Sequence, residues 1–363
     1  MGRRSRVGAR VVSMPRGQFM SQSPDQANGT AGVDWRSVIS AYQRPDTRRA
    51  VTQLATTLIP LAALSFLMAR SLALPAWITV LLAFPVAGLL VRTFIIMHDC
   101  AHGSFLPSKR ANTIIGWITG VLTLTPFGQW RHDHALHHAS SGDLDRRGDG
   151  DVETLTVREY EALSRGARLR YRLIRHPLVL FGLGPIHFIL TNRIPPRGAD
   201  ATARQLRSVW MTNALIVALL VLAVALVGWT TVLVVYGLPM YMAVAAGIWL
   251  FYVQHQFEGT YWREHADWDY ATSAIRGSSY LELPAILRWF TGSIGLHHVH
   301  HLGPRIPNYA LKRCHEENPL FHDVTTLTLA QSVRTLRLTL WDETRQQLVG
   351  FRDVIRARAA NAA

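Results

Sequence analysis

At 363 residues the chain is long enough for one large or two medium domains with a substantial core. Its 38 Lys and Arg against 24 Asp and Glu give a formal net charge of +14, which suits either nucleic acid or membrane orientation. Two cysteines without a CxxC pair, Cys100 and Cys314, exclude a disulfide scaffold and fit a reducing compartment.

In chain order, the first thirty or so residues are rich in Arg, Ser and Gly and lack an apolar h-region, so they read as a disordered basic leader and not a signal peptide. Met14 and Met20 offer alternative starts. Four stretches, residues 50–68, 74–97, 210–229 and 231–253, are apolar and long enough to cross a bilayer as helices. Arg70 is the only charge between the first two, and 228–231 carries none between the last two. Basic residues crowd the other segments instead, with Arg36, Arg44, Arg48 and Arg49 before the first stretch, and Lys109, Arg110, Arg131, Arg146, Arg147, Arg165, Arg168, Arg170, Arg172 and Arg175 in the middle segment. The positive-inside rule then places both termini and the middle segment in the cytoplasm, which accounts for the charge without nucleic acid. The expected organisation is a leader over 1–45, a membrane domain over 46–345 and a tail over 346–363.

Two further apolar stretches, 112–127 and 177–191, are short and broken by Gly or Pro, which favours interfacial or re-entrant helices. The polar segment between them suggests a solvated loop leading into a helix near 157–170. Its DLDRRGDGD run imitates a calcium loop only in part, because Arg147 stands at a liganding position and no Glu closes the loop.

Histidine is distributed very unevenly. Ten of the 16 fall in HDCAH (98–102), HDHALHH (132–138) and HHVHH (297–301). Residues three or four apart share a helix face, so His98 with His102, His134 with His137 and His138, and His297 with His300 and His301 can each aim imidazoles at one point. His132 and His298 fall off those faces and read as second-shell or surface groups. Imidazole suits Zn, Cu, Fe and Ni. Eight clustered ligands exceed what one tetrahedral zinc uses, so a metal pair is the economical reading. A pH sensor needs only one or two histidines, and a histidine-lined metal transporter would place its ligands near the middle of the spans. The three windows can meet only if neither short apolar stretch crosses the membrane. The fold expected is therefore an all-α integral membrane protein, with four transmembrane helices in two hairpins and a cytoplasmic helical cap carrying the histidines.

His255, where the fourth span emerges, lies at the level of His98 and is a candidate ninth ligand. His176, His187, His265, His315 and His322 lack ligand spacing, and no HPGG signature of a fused cytochrome follows His176. Asp99, Asp133, Glu258 and Asn308 are candidates to orient ligand imidazoles.

HDCAHGSF, WRHDHALHH, WLFYVQHQFE and GLHHVHHLGPRIPNY resemble the boxes of the membrane-bound fatty-acid desaturases, especially the bacterial acyl-lipid branch, over about residues 91–341. The resemblance implies a non-haem diiron centre held by His98, His102, His134, His137, His138, His297, His300 and His301, with His255 matching the family's isolated histidine. Where some relatives place a water-mediated Asn one turn earlier, this chain has Phe251. Breaking an unactivated methylene C–H bond needs a redox metal, and iron with O2 as co-substrate supplies what zinc cannot. The implied activity is dehydrogenation of adjacent methylenes in a membrane-lipid acyl chain, and hydroxylation or ketolation on the same scaffold is the alternative. No flavin, haem or nucleotide motif is present, so electrons come from an external donor, for which the family suggests ferredoxin. The stretch 278–295, with Trp289 and Phe290, is apolar enough to line an acyl tunnel or to pack at the interface.

Overall fold

A computed structural model describes residues 34–148, 152–196 and 201–361. Four helices in it are long and apolar enough to span a membrane: Thr47–Ser71, Ala76–His102, Ala203–Val227 and Trp229–His255. They match the four expected spans and are longer in each case, although the second starts at Ala76 and not at 74 and the third ends at Val227 and not at 229. The second is the central one, with 61% of its apolar window buried inside the protein against 17% for each of the others. It packs on the first and fourth spans through Val86, Ala87, Leu90 and Val91, in a core shared with Met68, Met240 and Ala243. The fourth span widens into a π-helical turn at Leu233–Gly237, just before Pro239. A proline has no N–H for the preceding turn and its ring crowds the carbonyl there, so a wider turn relieves the clash.

Neither short apolar stretch forms a single helix long enough to be counted among the four. Lys109–Leu122 is a 14-residue helix capped by Ser108, about 21 Å long at 1.5 Å per residue, after which the chain reverses through Leu124 (φ 56°) into Phe127–Ser140. The reversal depends on Gly116, because a Cβ there would lie 2.3 Å from the Phe127 ring. Tyr236 donates to the Leu122 carbonyl at 3.1 Å and pins the tip to the fourth span. The second stretch forms Val179–Thr191, bent 63° from Arg165–Ile174. Gly128 N donates to Ser208 Oγ at 2.8 Å, so the third span starts on the side where the helix Phe127–Ser140 lies. The bent pair therefore enters and leaves on one face.

Several expected boundaries need correction. The leader does not extend to residue 45. Asp34 accepts from Ser37 N and caps the helix Trp35–Ser40, and Ile39 and Tyr42 join the core around Val299, Leu302 and Ile306. Tyr42 also donates to Glu317 at 2.6 Å. Residues 1–33 lie outside the described residues. At the other end, residue 345 falls inside a hairpin. Leu340–Asp342 pairs antiparallel with Gln347–Val349 and parallel with Leu155–Thr156, and a helix Phe351–Asn361 follows, so the expected tail is part of the cap. The helix expected near 157–170 is two, Val157–Ala162 and Arg165–Ile174, because Ser164 caps the second by accepting from Ala167 N. The acidic run does not behave as a cation loop at its start, since the buried Asp143 carboxylate takes Arg146 Nε at 2.5 Å and His265 Nδ1 at 2.8 Å. Residues 149–151 of that run lie outside the described residues.

The second span carries a buried arginine. Arg92 is buried, donates from Nε to Thr57 Oγ1 at 3.1 Å and from Nη1 to the Trp289 carbonyl, and stacks 4.1 Å over the Trp289 ring.

Replacing Gly116 by Leu forces the Phe127 ring away, and overpacking of this kind costs about 1 to 3 kcal/mol. The expected result is a lower thermal unfolding midpoint of the detergent-solubilised protein, and an unchanged midpoint would mean the hairpin does not depend on that contact.

Candidate metal centre

The ligand positions are set by where helices end. Gly103 adopts φ +69° and its N–H reaches the Asp99 and Cys100 carbonyls, closing the second span one residue after His102. A left-handed residue at that point ends the helix, and glycine adopts it without steric cost. The helix Phe127–Ser140 returns beside it, His255 ends the fourth span, and the six-residue helix His297–Leu302 completes the set.

All nine expected histidines converge, in two groups. His98, His102, His134, His138 and His300 form one, and His137, His255, His297 and His301 the other, with the ligating nitrogens of each within 4.8 Å of one another. In the first, His98 Nε2 and His300 Nε2 are 3.0 Å apart, His300 Nε2 and His138 Nε2 3.0 Å, and His138 Nε2 and His134 Nε2 3.1 Å. In the second, His297 Nε2 faces His255 Nε2 at 3.0 Å and His301 Nε2 at 3.1 Å.

The division follows from helix geometry and refines the expectation that each window aims at a single point. Residues four apart differ by about 40° around a helix and adjacent ones by about 100°. The pairs His98/His102, His134/His138 and His297/His301 each share a group, while His137 and His300, next to a pair member, turn into the other group. Each HxxHH thus feeds both groups. The groups touch where His138 and His301 stack with centroids 4.3 Å apart.

The donor set fits a metal. His300 Nε2 faces two other Nε2 atoms at once, and one imidazole nitrogen carries at most one proton, so hydrogen bonding alone leaves lone pairs opposed. The His102 Nε2 is buried with no hydrogen-bond partner among the described residues. Burial first, and the neighbouring imidazoles second, hold His134, His138, His297, His300 and His301 well below the ordinary histidine range, so near pH 7 these rings are neutral and present lone pairs. A cation at each group satisfies them, and an all-imidazole set suits borderline metals.

Of the candidate orienting residues, Asp99 meets a ligand directly and Asn308 holds Asp99 in place. His98 Nδ1 donates to Asp99 Oδ1 at 3.0 Å, and Asp99 Oδ2 accepts from both the N and the Nδ2 of Asn308 at 2.7 Å. Because a carboxylate only accepts, the proton sits on Nδ1 and the Nε2 lone pair is left for the site. Asp133 accepts from Gln129 Nε2 on its own helix at 2.8 and 2.9 Å, and Glu258 is exposed past the end of the fourth span. His255 is oriented by a group the sequence did not suggest, the Gly277 carbonyl, 3.2 Å from its Nδ1. Backbone acceptors carry no side-chain signature, so only the fold reveals it.

Among the residues off the ligand faces, His132 is exposed as expected. His298 differs, being fully buried with its Nε2 3.2 Å from His315 Nδ1 and its ring against Phe321, because the six-residue helix is enclosed on every side. Trp289 and Phe290 lie on the short helix Ala285–Phe290 against the second span, Phe290 over Gly88. Phe251 is 5.1 Å from both His137 and His255. Trp130, which the sequence reading passed over, stacks on His134 at 4.3 Å.

A family model described as fatty acid desaturase matches residues 74–326. A fatty acid desaturase of Bacillus subtilis is 45% identical over 317 residues, 87% of this chain and 90% of that one. A Synechocystis protein named sn-1 acyl-lipid omega-3 desaturase (ferredoxin) is 28% identical over 69% of this chain and 71% of its own. A probable fatty acid desaturase of Sorghum bicolor is 30% identical over 69% and 66%.

Removing the Asp99 carboxylate leaves His98 Nδ1 without its acceptor. Asp99→Ala should weaken metal retention roughly 10- to 100-fold, the range for loss of a ligand's outer hydrogen bond, measured by chelator competition. Retention equal to wild type would remove Asp99 from this role.

Proposed function

The chain belongs to the fatty acid desaturase family, and we propose that it is the acyl-lipid member that uses two irons and O2 to place a cis double bond in a membrane-lipid acyl chain. Membership makes it a membrane oxidoreductase. The observation that carries the finer reading is the division of nine imidazoles into adjoining groups of five and four.

In this reading His98, His102, His134, His138 and His300 hold one iron, and His137, His255, His297 and His301 the other. Bound iron supplies the redox capacity to oxidise an unactivated C–H bond with O2, which zinc lacks. In the balance, two substrate hydrogens, two electrons and two protons reduce O2 to two waters. The chain's own residues prepare the site. Neutral imidazoles direct their lone pairs inward, Asp99 with Asn308 and the Gly277 carbonyl fix two of those rings, and burial of most of the ligands keeps bulk water from the oxidising centre.

The acyl-lipid substrate and a ferredoxin donor are supported by the names of the Synechocystis relative and of a Nostoc homologue with the same title. An acidic carrier would be drawn by exposed Arg131, Arg146, Arg165, Arg170 and Arg172. The same arginines support an orientation in a bacterial cytoplasmic membrane with the histidines and both termini inside. The membrane domain proposed at 46–345 takes in the helix Trp35–Ser40 at one end and the hairpin closed by Gln347–Val349 at the other. The helix Ala285–Phe290 exposes Ile286, Leu287 and Trp289 and gives the acyl chain an apolar approach.

Purified protein should carry about two irons per chain, and zinc alone would defeat the mechanism. His138→Ala and His301→Ala should each abolish product while membrane insertion persists, and full activity in either would strike that residue from the ligand set. Expression in a bacterium lacking such unsaturated lipids, followed by mass-spectrometric location of the new double bond, separates desaturation from hydroxylation, whose product retains oxygen.

A further inference from the structure

Three aromatic residues stand one helical turn before a ligand histidine: Phe94 before His98, Trp130 before His134 and Phe251 before His255. Residues four apart share a helix face. On the second and fourth spans the earlier position is also the deeper one, one turn further into the apolar segment.

The three rings are joined by two of the ligands into one surface. Phe94 meets Trp130 edge-on at 5.3 Å, Trp130 stacks on His134 at 4.3 Å, His134 lies 5.7 Å from His137, and His137 is 5.1 Å from Phe251. His134 belongs to the five-histidine group and His137 to the four, so the row passes beneath both.

The row is also where the interior opens. Phe94 is the one residue of 89–101 that is not buried, and Phe251 the one of 250–257. Trp130 is likewise half-buried between the buried Gln129 and the exposed Arg131. One turn beyond Phe251, a Cβ built on Gly247 would meet nothing within 4 Å, so open space continues down the same face of the fourth span.

We infer that Phe94, Trp130 and Phe251 form the floor on which the acyl chain's reacting methylenes lie, and that they set which carbons face the metals. The inference rests on the acyl-substrate reading above. Rings with two rotatable bonds, fixed by packing against ligand imidazoles, make a stiff apolar surface. A chain laid along it passes a ligand of each group, His134 and His137, whereas Trp289 and Phe290 stand on a separate helix against Gly88 and Arg92. Their side of the second span serves the approach, and the three rings determine the outcome.

The first arm of the test uses the iron-loaded full-length protein, without an electron donor, in phosphatidylglycerol vesicles whose acyl chains carry a mid-chain diazirine. After irradiation, adducts should map to peptides containing Phe94, Trp130 or Phe251. Adducts confined to lipid-facing residues such as Phe84, Leu219 and Leu222 would overturn the proposal. The second arm compares Phe94→Leu, Trp130→Phe and Phe251→Leu, each retaining the wild-type iron content. Displaced double-bond isomers should rise about tenfold relative to the native position, the discrimination that one apolar contact provides. Lower yield with an unmoved double bond in all three variants would overturn it as well. A wild-type protein that labels at these rings but makes no double bond would instead defeat the desaturase reading and leave the acyl floor standing.

Discussion

Everything in this fold answers to one constraint, that imidazoles from four separate helices must bring their lone pairs to two points a few ångströms apart. A helix makes this possible because it repeats every 3.6 residues. A pair at i and i+4 closes on one point, while the residue next to a pair member turns by about 100° into the neighbouring one. The doublets His137–His138 and His300–His301 are the consequence. They stitch the two groups together, so neither can form without ordering the helices that complete the other.

Convergence of this kind opposes folding until a cation arrives, since lone pairs face each other at about 3 Å in a poorly solvated space. The surrounding structure holds the rings in place regardless. Asp99 is itself fixed by two donors from Asn308, which begins a helix in the cap. Span and cap are thereby joined through a ligand's own hydrogen bond. The N-terminal helix and Tyr42 reinforce the same region by packing under the helix that bears His300 and His301.

Much of this was legible in the sequence, for physical reasons. Hydropathy over some twenty residues is a strong signal in lipid, and the spans were found within a few residues. Ligand spacing is local, so eight of the histidines could be named from it, and the isolated His255 from its place at the end of the fourth span. The requirement that they meet then ruled out a crossing by 112–127, which the turn at Leu124 bears out. What escaped notice depends on contacts distant in sequence. The Gly277 carbonyl has no residue signature, Trp130 carries no ligand chemistry that would single it out, and Glu258, a candidate orienting acid, lies past the end of the helix. The angle of His298 left it either beside the ligands or at the surface, and the enclosed helix removes the second choice, since it has no solvent face. The leader and tail boundaries were misplaced because short capped helices and a three-residue hairpin carry little compositional contrast.

Arg92 has an effect on traffic around the centre. Its guanidinium is held by Thr57 on the first span and by the carbonyl and ring of Trp289, so the short helix beside it cannot swing outward without leaving a bare cation in hydrocarbon. A stranded arginine at that depth costs on the order of several kcal/mol. That seam is therefore riveted, and an acyl chain approaching here passes over the exposed face of the short helix, past Ile286 and Leu287, and not between that helix and the second span.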